Sequence, residues 1–152
     1  MLFALDVYGK PAPQGSHKAY VVAGRARIVN DSESTLPWRQ AVVDAARAEI
    51  DRYDGEWVPL EGPLVTHIAF WLPRPIGAPK TIDIRPIKKP DLDKILRATN
   101  DALTAAGVWR DDSQVVSSHE EKFYSLGPEL SRLYQRGWHR PPGVSIEVRT
   151  LD

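Results

Sequence analysis

Apolar and polar positions divide the chain into short strands and two long amphipathic stretches. Leu2, Ala4, Leu5 and Val7 mark a first strand, which Gly9 and the turn formers Pro11, Pro13 and Gly15 bring to an end. Tyr20 to Val22 and Arg27 to Val29 are two apolar runs about Gly24, the pattern of a hairpin. Trp38, Ala41, Val42, Ala45, Ala46, Ala48 and Ile50 then recur at helical spacing and predict a helix from about Leu36 to Tyr53, capped by Ser34 or Thr35 with Pro37 in its first turn. From Leu64 to Leu72 apolar residues occupy both parities, which predicts a central strand with both faces largely covered. His67 lies inside that strand and reads as a hydrogen-bonded core or interface histidine.

The segment from Pro73 to Pro90 carries five prolines and no sustained period, and predicts an extended surface arm or linker. Leu92, Ile95, Leu96, Thr99, Ala102, Leu103 and Ala106 next line one face of a second helix, with Asp91 as its N-cap and Gly107 as its left-handed C-cap. Val115 to Tyr124 predicts a strand, Leu130, Leu133 and Tyr134 a short helix within residues 125–143, and Val144, Ile146 and Val148 a final alternating strand. This order predicts one α+β domain over residues 1–152: a two-layer sandwich, its mixed β-sheet carrying two main helices packed on one face.

Composition narrows the partners and the chemistry. With 152 residues, 42% apolar and 26% charged, the chain has the balance of an ordinary globular domain. No apolar run approaches a membrane span, and Asp6 comes too early for a signal peptide, so a cytoplasmic location is expected. The absence of cysteine removes disulfides and thiolate metal sites, and four histidines leave little for a nitrogen-ligand site. There is no glycine-rich phosphate loop and no G-x-S-x-G, so neither a nucleotide cofactor nor a serine hydrolase is implied. Net charge is zero, yet acids crowd Asp31 to Glu61 while Arg74, Lys80, Arg85, Lys88, Lys89, Lys94 and Arg97 surround the approach to the second helix. Such a polarised chain can draw phosphate to one face despite a neutral total.

The acids at the two ends of the second helix are the candidate chemistry. Asp91 and Asp93 stand at its start, and Asp111 and Asp112 follow its end. Capping explains the first pair in part, but it does not explain the second. Gathered together, by the returning strand or by a second copy of the chain, these carboxylates would make an oxygen-rich site suited to Mg²⁺. Clustered aspartates that hold such an ion can lower the pKa of a bound water and neutralise a phosphate, which phosphodiester hydrolysis requires. Lys94 and Arg97 would offset the repulsion between the acids and DNA, and Arg97 can donate to a non-bridging oxygen.

Asp91-Leu92-Asp93, Arg97, Asp101-Ala102-Leu103, Gly107 and Asp111-Asp112-Ser113-Gln114-Val115-Val116 together resemble the RusA family of Holliday junction resolvases. That family's signature is D-x-D-N at a helix start, then a basic residue, D-A-L, a glycine and D-D-x-Q-V-V. The early loop Pro11-Ala12-Pro13-Gln14-Gly15-Ser16 is a second similarity. The resemblance implies Asp91, Asp93 and Asp112 as catalytic ligands of Mg²⁺, with Mn²⁺ as a substitute, and Arg97 in place of a catalytic lysine; Asp111 is left as the alternative ligand. Lys94 stands where the family usually has asparagine. It further implies a homodimer that cuts opposite strands of a four-way junction symmetrically, of phage or prophage origin, acting in a bacterial cell.

Candidate DNA contacts are Gln14, Ser16 and Lys18 on the loop, Lys88, Lys89 and Lys94 near the acids, and Lys122, which resembles a basic position in the family. Arg132, Arg136 and Arg140, with Trp138 and His139, make the insertion basic and aromatic, suited to phosphates and unpaired bases. Competing functions are a nuclease acting on flaps or forks, a non-catalytic junction-binding module, and a metal-independent glycosidase using two of the carboxylates.

Overall fold

A computed structural model describes residues 1–13, 17–22, 24–30, 35–79, 82–126 and 141–151. The predicted helix around Leu130 lies outside these residues. Strand β1 (Leu2–Tyr8) is followed by the hairpin β2 (His17–Val22) and β3 (Arg25–Asn30), helix α1 (Thr35–Asp51), strand β4 (Leu64–Leu72), helix α2 (Leu92–Ala106), and strands β5 (Val115–Tyr124) and β6 (Gly143–Thr150). Four strands form one mixed sheet in the order β1-β6-β4-β5; the hairpin pairs separately. The fold is α+β, with both helices packed against the sheet.

One face of the sheet is apolar because the alternation of its strands is kept in register. Phe3 pairs with Val148 and Val148 with Thr66; Leu5 and Ile68 both pair with Ile146; Val7 and Phe70 both pair with Val144. Trp38, Val42 and Ala46 of α1, with Ile95, Ala98, Ala102 and Leu103 of α2, close over these residues in a single core. Each fully buried Phe, Leu, Ile or Val there contributes roughly 1.5–3 kcal/mol. Alanines 98 and 102, both fully buried, bring the two helices close. Gly143 shows how tightly the β1-β6 pair is drawn: a Cβ at this residue would lie 2.0 Å from the Val7 carbonyl oxygen.

Two expectations need correction. Strand β4 is flanked on both sides, by β6 and β5, but its second face is open: His67 is exposed, and Val65 and Ala69 are half-buried. His67 is therefore not a core residue; its ring meets His119 of β5 at 5.9 Å. Apolar residues on both parities misled because the open face uses small side chains with Trp71, which packs with Leu126 and Phe123 in a separate cluster. Helix α1 ends two residues earlier than predicted, since Arg52 and Tyr53 donate backward by three residues, to Glu49 and Ile50, and tighten the last turn.

The connection from β4 to β5 determines where the acids lie. These strands are parallel, from Leu64 beside Val115 to Leu72 beside Tyr124. A parallel pair needs a crossover, and here residues 73–114 provide it, with α2 running back against the strand direction. The start of α2 consequently lies by the end of β5, and the end of α2 leads into the start of β5.

Candidate functional site

At its N-terminal end α2 presents its polar side. Ile95, Ala98, Thr99, Ala102 and Leu103 are buried, whereas Asp91, Asp93 and Arg97 are exposed. Asp91 has the extended backbone of an N-cap, but its side chain makes no capping hydrogen bond. The carboxylate lies 3.7 Å from Lys94 Nζ instead, with both side chains nearly half exposed. At that exposure such an ion pair contributes about 0–1 kcal/mol, which leaves the Asp91 oxygens open to other partners. Asp93 occupies the first turn, where the helix dipole favours a negative charge, and Arg97 follows one turn later.

Backbone contacts fix the approach to this end. Lys122 Nζ donates to the carbonyl oxygens of Lys88 at 2.9 Å and Pro90 at 3.0 Å. The Arg85 guanidinium lies 4.2 Å from the ring centre of Phe123, the next residue of β5. Lys88 and Lys89 are exposed just before Pro90.

The C-terminal end of α2 is held far more closely. Gly107 takes the left-handed conformation, and its N–H reaches Thr104 O at 3.0 Å. Trp109 is buried and donates its indole N–H to Thr104 Oγ1 at 2.7 Å, while Trp57 donates to Gly107 O at 2.9 Å. Asp111 then caps a short 3-10 turn, Asp112–Gln114, by accepting from Ser113 N at 2.9 Å. Hydrogen bonds from the Ser113 side chain and then its backbone hold the Asp111 carboxyl below the usual carboxylate range.

Gln114 completes this turn and fastens it to the rest of the fold. Its Oε1 accepts from Arg110 N at 3.0 Å and Asp111 N at 3.2 Å. Its Nε2 donates to Leu60 O at 3.0 Å and Gly62 O at 3.2 Å. Both amide donors and both oxygen lone pairs are thereby used. Arg110 adds an ion pair to Glu61 in the same loop. Asp112 stands beside all this with an exposed carboxylate and no side-chain partner among the described residues. Both acids are exposed; Asp111 commits Oδ1 to the turn, and Asp112 commits neither oxygen among the described residues.

The two acidic ends are separated by the length of α2, about 22 Å for 15 residues. Among the described residues, no three His, Asp or Glu side chains come close enough to hold one metal ion. Carboxylate oxygens suit a hard divalent cation, but within one chain they do not close around it.

A family model described as Endodeoxyribonuclease RusA matches residues 9–131, a span that includes the loop after β1, both acidic ends of α2 and all of β5. The chain belongs to the RusA endodeoxyribonuclease family. It is also similar to the Bacillus subtilis (strain 168) protein called "Uncharacterized protein YqaN", with 27% identity over 133 residues that cover 82% of this chain and 89% of the relative.

RusA membership makes the chain a nuclease, and among the described residues no helix is long and apolar enough to cross a membrane. Of the DNA contacts expected from sequence, Gln14, Ser16, Arg132, Arg136 and Arg140 lie outside the described residues, as does the side chain of Lys18 on β2. Lys88, Lys89 and Lys94 gather near the Asp91 end, and Lys122 reaches the same place but turns its ammonium onto backbone. Gln114 is the site residue that a reading for acids passes over. The signal for it was present: Asp111 and Gln114 are spaced as a capping box, an acceptor followed three residues later by a glutamine.

Proposed function

We propose that this protein is a Mg²⁺-dependent endonuclease that resolves four-way DNA junctions, working as a homodimer in which Asp91 and Asp93 of one copy face Asp112 of the other. The observation that carries the proposal is the placement of exposed carboxylates at opposite ends of one helix, in a chain whose family hydrolyses DNA. One copy holds the two halves of a site apart; two copies related by a two-fold axis join them.

The sheet topology suits that arrangement. Among the described residues β5 pairs only with β4, so it forms an edge of the sheet. A two-fold axis beside the middle of β5 sets two α2-β5 units antiparallel, which brings the start of one α2 towards the end of the other. Two sites result, related by the same symmetry as a four-way junction, and each faces one of two opposed strands. Bound there, a divalent ion would supply charge neutralisation and a more acidic water.

The protein's own groups provide the rest. Arg97 directs a guanidinium to the non-bridging oxygens of the scissile phosphate. Lys88 and Lys89 hold the flanking backbone, while Lys94 balances the charge on Asp91. Gln14, Ser16 and Lys18, together with Arg132, Arg136 and Arg140, extend the DNA-binding surface.

The test uses a synthetic four-way junction, a fork and a linear duplex, each with Mg²⁺ and with chelator. Paired cuts at symmetrical positions in the junction, abolished by chelator, are expected. Equal or faster cutting of the fork would reassign the substrate, and tight junction binding with no cutting would make the protein a binding module.

A further inference from the structure

Strand β5 ends beside the turn that leads into α2, and two of its successive residues grip that segment. Successive residues of a strand point to opposite faces. Lys122 lies across from the buried Phe70 on the helix side, whereas Phe123 lies across from Trp71 on the open side and stacks on it, with ring centres 4.7 Å apart. The segment leading to α2 meets both faces: Arg85 lies over Phe123, and the carbonyls of Lys88 and Pro90 receive the Lys122 ammonium.

Among the described residues between Leu72 and Leu92 no strand or helix supplies backbone partners, so the Lys88 and Pro90 carbonyls depend on side chains or water. Asp91 is then held from both directions along the chain. Its own carbonyl accepts from Ile95 N at 3.2 Å, and the carbonyl just before it accepts from Lys122. Because the Asp91 side chain makes no cap and only an exposed ion pair with Lys94, the place of its carboxylate follows chiefly from this backbone. An ammonium directed at two carbonyls has one N–H left, and Lys122 is half-buried where Lys88 and Lys89 are exposed.

We propose that Lys122 is a positioning residue. It fixes the Lys88–Pro90 backbone, and through it the Asp91 and Asp93 carboxylates, instead of binding a DNA phosphate. The proposal rests on the nuclease reading for the role of those carboxylates, but the placement of the turn can be measured without it.

The experiment compares the full-length protein with Lys122→Met and Lys122→Arg. It reads backbone amide exchange over residues 91–95, the salt dependence of junction binding in chelator, and the Mg²⁺ concentration for half-maximal cleavage. Lys122→Met should speed exchange over 91–95 and raise the Mg²⁺ requirement roughly 10-fold to 100-fold, as loss of a group that orients ligands does. Junction affinity in chelator and its salt slope should be unchanged, and Lys122→Arg should restore part of both effects. If Lys122→Met does not fold, Lys122→Gln takes its place in the same comparison.

A phosphate contact would instead lower the salt slope by about one charge with exchange over 91–95 unaltered, and that result overturns the proposal. Unaltered exchange together with an unaltered Mg²⁺ requirement also overturns it. If the unmodified protein cuts no junction at any Mg²⁺ concentration, the nuclease reading fails, and exchange and salt slope alone decide the role of Lys122.

Discussion

The two ends of α2 carry the same kind of residue under opposite constraints. At the start, Asp91 and Asp93 are exposed, Asp91 makes no cap, and one surface ion pair to Lys94 is the nearest charge contact. At the end, a left-handed glycine, two indole hydrogen bonds, a capping box and the four bonds of Gln114 fix the chain before Asp112 appears. The difference shows how a fold can present a carboxylate in two ways. One end relies on a backbone held from outside by Lys122. The other uses a neighbouring acid, Asp111, for the structural bond, so that Asp112 remains available.

If both ends serve one reaction, damage to either should be equally severe. Asp93→Asn and Asp112→Asn should each lower junction cleavage by about 10³-fold or more, the scale of losing several kcal/mol of transition-state stabilisation, while binding in chelator persists. A large loss at one end with near-normal activity at the other would break the symmetry. Gln114→Ala should then separate structure from chemistry. It removes four hydrogen bonds, three of them exposed to water, and should lower stability by about 1 kcal/mol, read by urea unfolding, with cleavage reduced roughly 10-fold to 100-fold.

Smaller effects sharpen the contrast. Lys94→Ala removes an exposed pair at the loosely held end and should change stability by less than about 1 kcal/mol, while lowering the Mg²⁺ requirement by freeing Asp91. A raised requirement would instead give Lys94 a direct part in the reaction. The smallest effect is in acid. The depressed Asp111 pKa means that its cap is fully present above the ordinary Asp value, about 3.9, and is lost as pH falls through the lower folded value. Asp111→Asn should flatten that part of the stability profile with little change at neutral pH.

Much of this was legible in the sequence. Apolar period placed β4, α2 and β5, and Gly107 marked the end of α2, because each of those signals is local. The family pattern singled out the same acids. Three features were not legible, each because it depends on distant residues. Whether the chain after α2 brings Asp112 back to Asp91 depends on the parallel β4-β5 pair, which starts β5 at the far end of α2 and leaves the two acids a helix length apart. The targets of Lys122 are carbonyls more than 30 residues away, so its positive charge alone suggested DNA. His67 reads as interior from its apolar neighbours, yet the helices cover only the opposite face. A fourth is local: Asp91 was expected to cap α2, and its side chain turns to Lys94, three residues on, instead.

The measurement that tests the shared site most directly is complementation between two inactive chains. Asp91→Asn/Asp93→Asn protein and Asp112→Asn protein, co-expressed so that mixed dimers form, are assayed on a four-way junction with Mg²⁺. A site built from two copies predicts restored nicking, because each mixed dimer regains one intact site; random pairing gives about a quarter of the normal number of sites. No activity above that of the separate variants, with mixed dimers verified to be present, would contradict it.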